Sequence, residues 1–423
     1  MSYIVIPIFS DPFLHPLHKD NGLSLLYVQE IGKESKMICQ FHPDCVGVLE
    51  DYKWLENEQI YTPDAKILNH VYPFKNVVDM NWYWWSATNQ PFDMGKVRNN
   101  AYDFFHNKYY NARRLNEIIP ILKHKEYCDD LGNTIMDGGI GFDKLSELSY
   151  SYNYSREATE AFSYIESNGV KVSDDVCDIF DMRVKKHISD GRLYTKYNLW
   201  TSTGRPANSF GNVNFAAMKP EQRKAMIPEY DMMVEYDYDA YHLRLIGDMI
   251  GYKFDKESVH QHLADKYGST YEESKQISFK LLYGGIDKET RKNITFFGLT
   301  YDKINTFWEY FKSNNFIETD IYKRKLLSKN YTDMNKNKLF NYLVQAYETE
   351  SNIKTIIELK HYLLQKKTKL VLYGYDSFLF DFSKKDGVST LTEIKDILER
   401  NGHMVKPKAG SNYGEMNDIS DRL

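Results

Sequence analysis

Val234-Glu235-Tyr236-Asp237-Tyr238-Asp239-Ala240-Tyr241-His242-Leu243-Arg244-Leu245 joins a strand to a helix through a run of acids. Met232 to Tyr236 is apolar and aromatic with one break, which reads as a strand. From Leu243 the pattern changes, since Leu243, Ile246, Met249 and Ile250 recur at helical spacing. Glu235, Asp237 and Asp239 are expected to share one face of the extended segment, because side chains alternate along a strand. Like charges that close resist ionisation unless a cation or a donor offsets them. Two readings follow: an exposed acidic turn, or half of a divalent-metal site.

The rest of the chain narrows that choice. With 423 residues it exceeds one comfortable core, so two or three subdomains are expected. Hydrophobic content of 42% and charged content of 27% are globular values. A net charge of −5 excludes a wholesale basic nucleic-acid binder but permits a local basic groove. Cys39, Cys45, Cys128 and Cys177 show no paired metal spacing. Even with His42 between the first two, they read as thiols of a non-secreted chain. Met1 to Phe9 lacks a basic leader and reads as a strand, not a signal peptide. No apolar run reaches the ~20 residues of a membrane helix, so a soluble, intracellular protein is expected.

Residues 1–150 have the look of a small α/β unit. Tyr3–Phe9, Leu23–Gln29 and Met37–Phe41 are strand candidates, and Trp82, Trp84 and Trp85 read as core. Asp129, Asp130, Asp137 and Asp143 fall in a Gly-rich, loop-like region. Ala158, Ala161, Phe162 and Ile165 predict an amphipathic helix closed at Asn168-Gly169. Thr203-Gly204-Arg205 and the following Asn212 and Asn214 form a polar loop. Residues 252–350 are mainly helical. Within them Lys275, Phe279 and Tyr283 are spaced by four, about 400° of helix, so they line one face before Gly284-Gly285 stops it. A cation and two rings on one face suit a triphosphate and a base, or simply a lysine lying over core aromatics. Asn341 and Gln345 lie one turn apart on a later helix. Lys369 to Phe382 is two apolar strands around a tight turn with Tyr375 and Asp376 at its tip.

Taken in order, these pieces resemble the polymerase region of family A DNA polymerases, the DNA polymerase I type, over residues 155–418. Asp237-Tyr238 with Leu243-Arg244 resembles the first carboxylate motif, and Tyr375-Asp376-Ser377 the second. Lys275, Phe279, Tyr283 and Gly284 resemble the nucleotide-binding fingers helix, with His260 upstream where the family has a phosphate-contacting histidine. Thr203-Gly204-Arg205, Asn212 and Asn214 resemble the primer-side segment; Asn341 and Gln345 resemble the template-facing pair. Gly410 to Glu415 resembles the family's C-terminal ending.

The resemblance implies an α+β right-hand polymerase. Its parts are a degenerate RNase H-like 3′–5′ exonuclease-type domain (1–150), a reduced thumb and palm entry (151–230), palm (231–251), fingers (252–350), and palm with C-terminus (351–423). Departures bear on function. His242 stands where the family has the Glu that helps exclude ribonucleotides, Tyr271 replaces an arginine, Lys280 a glycine, and Ser377 a glutamate, as in single-subunit RNA polymerases. Between Gly169 and Arg205 there is little room for the usual thumb, so a processivity or replisome partner is expected. In the N-terminal unit, Asp11 lacks its Glu partner (Phe13). The Asp64-Ala65-Lys66 and Val77–Met80 segments resemble a degenerate exonuclease with Leu68 in place of an aspartate. No proofreading is expected.

The implied reaction is nucleotidyl transfer from dNTPs to a primer-template. Asp237, Asp376 and the Tyr238 carbonyl hold two Mg²⁺ (Mn²⁺ can substitute), and Lys275 and His260 sit on phosphate. Phe279 lies by the sugar, Tyr283 by the templating base, and Arg205 in the minor groove. The short polymerase and the composition point to a phage or virus, hence the host cytoplasm. A non-catalytic DNA-binding scaffold and a single-subunit RNA polymerase are the rivals.

Overall fold

The computed structural model describes residues 1–45, 49–88, 119–137, 149–174, 180, 182–208, 214–254 and 258–423. Strand β1 (Ser2–Phe9) has an apolar residue at almost every position because it is covered on both faces. Ile4, Ile6 and Ile8 enter one core, while Tyr3 and Val5 enter another with Leu55, Ile60 and Leu68. The other strands are β2 (Leu23–Glu30), β3 (Ser35–Cys39), β4 (Gln59–Thr62) and β5 (Asn76–Asp79). Their order is β3-β2-β1-β4-β5, with β1, β2 and β3 antiparallel and β1, β4 and β5 parallel. Helix α1 (Ala65–Val71) is capped by Asp64, whose carboxylate accepts from the Ile67 amide, and bridges β4 to β5. Trp82, Tyr83 and Trp85 of α2 (Met80–Thr88) are buried, as core aromatics.

Two expectations fail here. Asp129, Asp130 and Asp137 lie in helix α3 (Ile121–Asp137), not in a loop. Asp129 accepts hydrogen bonds from Tyr27 Oη at 2.8 Å and Lys125 Nζ at 2.7 Å, so it anchors α3 to the sheet; Asp143 lies outside the described residues. Cys39 and Cys45 are not thiols: they form a disulfide across the turn that follows β3, with Cα atoms 6.3 Å apart. Cys128 is free and buried, and Cys177 lies outside the described residues.

Helix α4 (Ser149–Asn168) buries Ala158, Ala161, Phe162 and Ile165. It ends at Gly169, whose φ of +57° is the left-handed conformation that terminates a helix. The second sheet consists of β6 (Met232–Tyr238), β7 (Lys369–Tyr373), β8 (Ser377–Phe382), β9 (Val405–Asn412) and β10 (Glu415–Asp418). It is antiparallel throughout in the order β7-β8-β6-β9-β10, so the acidic strand β6 is central.

A helical insert follows β6: α5 (Tyr241–Ile250), α6 (Val259–Tyr267), α7 (Tyr271–Gly284), α8 (Lys288–Asn293) and α9 (Thr295–Asn314). It has its own apolar core around Leu263, Leu282, Phe296 and Phe297. The long α10 (Lys336–Leu363) runs from that core back to the sheet, contributing Phe340 and Val344 at one end and Ile353 and Ile356 at the other. Helix α11 (Ser389–Glu399) packs on β6, where Tyr236 Oη and Tyr238 Oη donate to the carbonyls of Leu391 and Leu398 at 2.8 and 2.7 Å. Among the described residues no helix is long and apolar enough to cross a membrane.

Candidate active site

Strand β6 continues to Tyr238, and α5 begins at Tyr241 after Ala240 turns the chain with a φ of +51°. Glu235 and Asp237 therefore share a strand face, but Asp239, expected on it too, falls beyond the strand in the turn. Its carboxylate is bonded by Arg244 Nη2 at 3.0 Å and by Lys406 Nζ. Burial pushes Asp239 up, but these two cations more than offset this and hold it below the usual range. Glu235 accepts from Tyr413 Oη at 3.2 Å. Asp237 has no such partner among the bonds described.

Asp237 pairs in register with Ser377, which places Asp376 beside it. The turn carrying Asp376 is tight. The Gly374 amide donates to the Ser377 carbonyl at 2.8 Å, and Tyr375 adopts a φ of +71°. A Cβ on Gly374 would lie 2.6 Å from Ser377 Oγ, so a larger residue there forces the serine hydroxyl to turn away. Burial, then the charge of Asp376, then Glu235, push Asp237 up to about 7. Asp376 is raised by burial and then by Glu348. Asp237 is half-buried and Asp376 opens to the cleft, and each is raised by partial burial and by a neighbouring acid, which prepares the site for a cation.

The acids line a cleft of about 440 Å³ whose other wall is the helical insert. Lys275 and Phe279, one turn apart on α7, both face it, together with His260 from α6 and Tyr271. The His260 ring lies 5.6 Å from Tyr271 and 6.4 Å from Phe279. Burial lowers His260, so it meets the cleft as a neutral imidazole, able to donate or accept but not to supply a full charge. His262 turns away and bonds Tyr252 Oη at 2.8 Å.

Arg205 reaches the cleft from the polar loop. Its amide donates to Thr203 Oγ1 at 3.2 Å, its guanidinium stacks 3.8 Å from the Tyr375 ring centre, and Nε lies 2.8 Å from Glu348 Oε2. His242 Nε2 is 3.3 Å from the same oxygen. Of the remaining sequence candidates, Gly284 ends α7 away from the cleft lining, and Asn214 caps the short turn Phe215–Ala217. Asn341 and Gln345 are half-buried on α10, and neither lines the cleft. Asn212 and the Tyr283 side chain lie outside the described residues.

Sequence reading missed Glu348, Lys406 and Asn352. Lys406 faces Asp237 only through the register of β6 with β9. Asn352 bonds Tyr241 Oη, Tyr373 Oη and the Tyr375 carbonyl at 2.9, 3.0 and 2.8 Å. The one available signal was the spacing of Glu348 and Asn352, four apart on one helix face.

A second polar cluster joins α1 to α4. His15, His70 and Glu166 bring possible ligand atoms within 4.8 Å of one another, close enough to hold an ion. The hydrogen bonds there describe a different arrangement. The Leu17 amide donates to His15 Nδ1 at 3.2 Å, and burial lowers His15 to about 3, so the neutral ring carries its proton on Nε2. Glu166 already accepts from Lys66 Nζ at 2.5 Å, from the Tyr197 amide at 2.6 Å, and lies 3.1 Å from His70 Nε2. A divalent ion would have to displace that proton beside a buried ammonium. The cluster is an ion-paired seam.

No family model and no curated protein matches this sequence. Solved structures do resemble it. One is the POL domain of Pol1 from M. smegmatis in complex with DNA primer-template and dNTP, with a TM-score of 0.71 and 12% identity, covering 98% of this chain and 96% of that one. At that identity the likeness is one of fold, and it extends over nearly the whole of both chains.

Proposed function

We propose that this chain is a template-directed DNA polymerase of the family A type, adding dNTPs to a primer 3′-hydroxyl. One observation carries the reading: Asp237 on β6 and Asp376 at the tip of the neighbouring hairpin face, across one cleft, a lysine and an aromatic ring on a separate helical insert. In this reading the second sheet is the palm and residues 252–350 are the fingers. The first sheet's order β3-β2-β1-β4-β5 supports an RNase H-like N-terminal domain. Primer-template and dNTP, the ligands of the M. smegmatis domain, are the substrates assigned.

The donor set fits Mg²⁺ or Mn²⁺: Asp237, Asp376 and the Tyr238 carbonyl offer only hard oxygens, and burial, then the charges of Asp376 and Glu235, hold Asp237 high. Bound there, two such ions would lower the pKa of the primer hydroxyl and stabilise the leaving pyrophosphate. The chain's own residues do the rest. Lys275 supplies a permanent charge to the triphosphate, and the neutral His260 donates a hydrogen bond to a phosphate oxygen. The exposed face of Phe279 packs on the nucleotide. Arg205, flat on Tyr375, enters the minor groove at the primer terminus, where correct pairs share acceptors. Among the described residues between Gly169 and Arg205 the longest helix is Met182–Lys185, and the reading assigns the duplex grip to a partner subunit.

The test is primer extension by the purified chain with Mg²⁺ and, in parallel, dNTPs or rNTPs. Extension with dNTPs, lost in Asp237→Ala and in Asp376→Ala, is expected. Near-wild-type incorporation by either variant would remove the two-aspartate assignment, and a preference for rNTPs would reassign the enzyme as an RNA polymerase.

A further inference from the structure

Glu348 is the least expected residue of the cleft. Its side chain is 1% exposed, yet it is placed among acids that already repel one another, and its charge helps to raise Asp376. For stability alone, a buried carboxylate beside two other acids is unfavourable. It is held by two cation-capable groups from two different segments, Arg205 and His242, both on Oε2. A second contact, from Arg205 Nη2 to Oε1 at 3.3 Å, fixes the guanidinium as a fork. One turn further along α10, Asn352 holds the carbonyl of Tyr375, whose ring lies under the same guanidinium. Thus one face of α10 holds Arg205 directly through Glu348 and indirectly through Asn352 and Tyr375.

We propose that Glu348 is a positioning residue that couples the primer side of the cleft to the nucleotide side. The inference rests on the polymerase reading. Arg205 and His242 both approach Oε2 of Glu348, so a shift of this carboxylate towards one alters its contact with the other. With Nε2 3.3 Å from Glu348 Oε2, His242 is held where it lines the cleft with Asp376 and Asp237, on the side the reading assigns to the incoming nucleotide. A mispaired primer terminus that displaces Arg205 weakens the hold on His242. An oversized sugar that displaces His242 loosens Arg205. Selection of the sugar and checking of the terminal pair become one event.

The experiment uses the full chain and measures kcat and KM for one dNTP and its rNTP, each on a matched and a mismatched primer terminus. Glu348→Gln keeps the shape and removes the charge; Glu348→Ala removes both. Positioning predicts that Glu348→Gln lowers dNTP-over-rNTP selectivity and matched-over-mismatched selectivity together, each at least fivefold. It also predicts that Glu348→Gln and His242→Ala are non-additive in sugar selectivity. A merely structural role lowers all four kcat/KM values in proportion and leaves both ratios unchanged. That outcome in Glu348→Gln, or a change in only one ratio, overturns the proposal. If Glu348→Ala does not fold, the Gln variant decides. Failure of the wild-type chain to incorporate any nucleotide is a failure of the polymerase reading instead, and is visible before any variant is tested.

Discussion

The backbone amide of Tyr238 donates to the carbonyl of Asp376 at 2.9 Å. This bond joins the last residue of β6 to the tip of the β7–β8 hairpin, and so ties Asp237, one residue before it, to Asp376. The spacing of the two carboxylates is therefore a property of the sheet and not of side-chain rotamers alone.

Asp237 should make the protein more stable when it is neutralised, in a pH-dependent way. Its folded value near 7 lies above the unfolded carboxyl range, so the folded state holds the proton more tightly. Stability from this group is fully present below about pH 4 and is lost as pH rises through 7. Asp237→Asn should therefore raise the melting temperature at pH 8, by an amount corresponding to roughly 2 kcal/mol, and change little at pH 4. An equal gain at both pH values would contradict the assignment; thermal melts in matched buffers read it.

Binding of a divalent cation should release protons at neutral pH. The ion needs the carboxylate, so below about pH 7 it must displace the Asp237 proton. Mg²⁺ or Mn²⁺ affinity should weaken toward pH 6, with up to about one proton released per site. Calorimetry in buffers of different ionisation enthalpy measures this, and the proton release should vanish in Asp237→Asn.

Asn352→Ala should loosen the Asp376 hairpin. It removes the donor to the Tyr375 carbonyl and the partners of two buried tyrosine hydroxyls. A destabilisation of about 2–4 kcal/mol is expected from the groups left unsatisfied. Nucleotide incorporation should fall more than thermal stability alone explains. Chemical denaturation combined with single-turnover extension separates the two.

Gly374→Ala should act on the same turn by steric clash, since the new Cβ meets Ser377 Oγ. Single-turnover incorporation is expected to drop at least tenfold in Gly374→Ala. The double variant Gly374→Ala/Ser377→Ala, which removes the colliding oxygen, should recover part of it. No recovery would point to another cause.

Glu166 and Lys66 join α1 to α4 by a pair that is 1% and 5% exposed. Lys66→Met leaves Glu166 buried without its strongest partner and should cost about 3–5 kcal/mol. The double replacement Lys66→Met/Glu166→Leu should recover much of that loss, because it removes the orphaned charge as well. Urea unfolding of the three proteins tests the pair, and an unchanged or greater loss in the double variant would show that hydrogen bonds to Tyr197 and His70 dominate.

What the sequence determined by itself was local. Strand-to-helix conversion after Asp237, the Lys275–Phe279 face, the apolar face of α4 and the hairpin at Asp376 all follow from the periods 2 and 3.6, and all are present. The left-handed stop at Gly169 was legible because glycine alone adopts that conformation without steric cost. Tertiary structure decided which charges meet. Asp239 is neutralised by Lys406, which comes from the last third of the chain, and only sheet register places that lysine there. Glu348 looks like any helical glutamate until Arg205 and His242 are folded against it. The Cys39–Cys45 bond escaped notice because no periodicity encodes it, whereas the helix carrying Asp129 was legible in Cys128, Leu131 and Ile135 at helical spacing and was obscured by the glycines beside it. Spacing along the chain reports backbone geometry, whereas the environment of a charge depends on residues 143 or 200 positions away that folding brings to 3.3 and 2.7 Å.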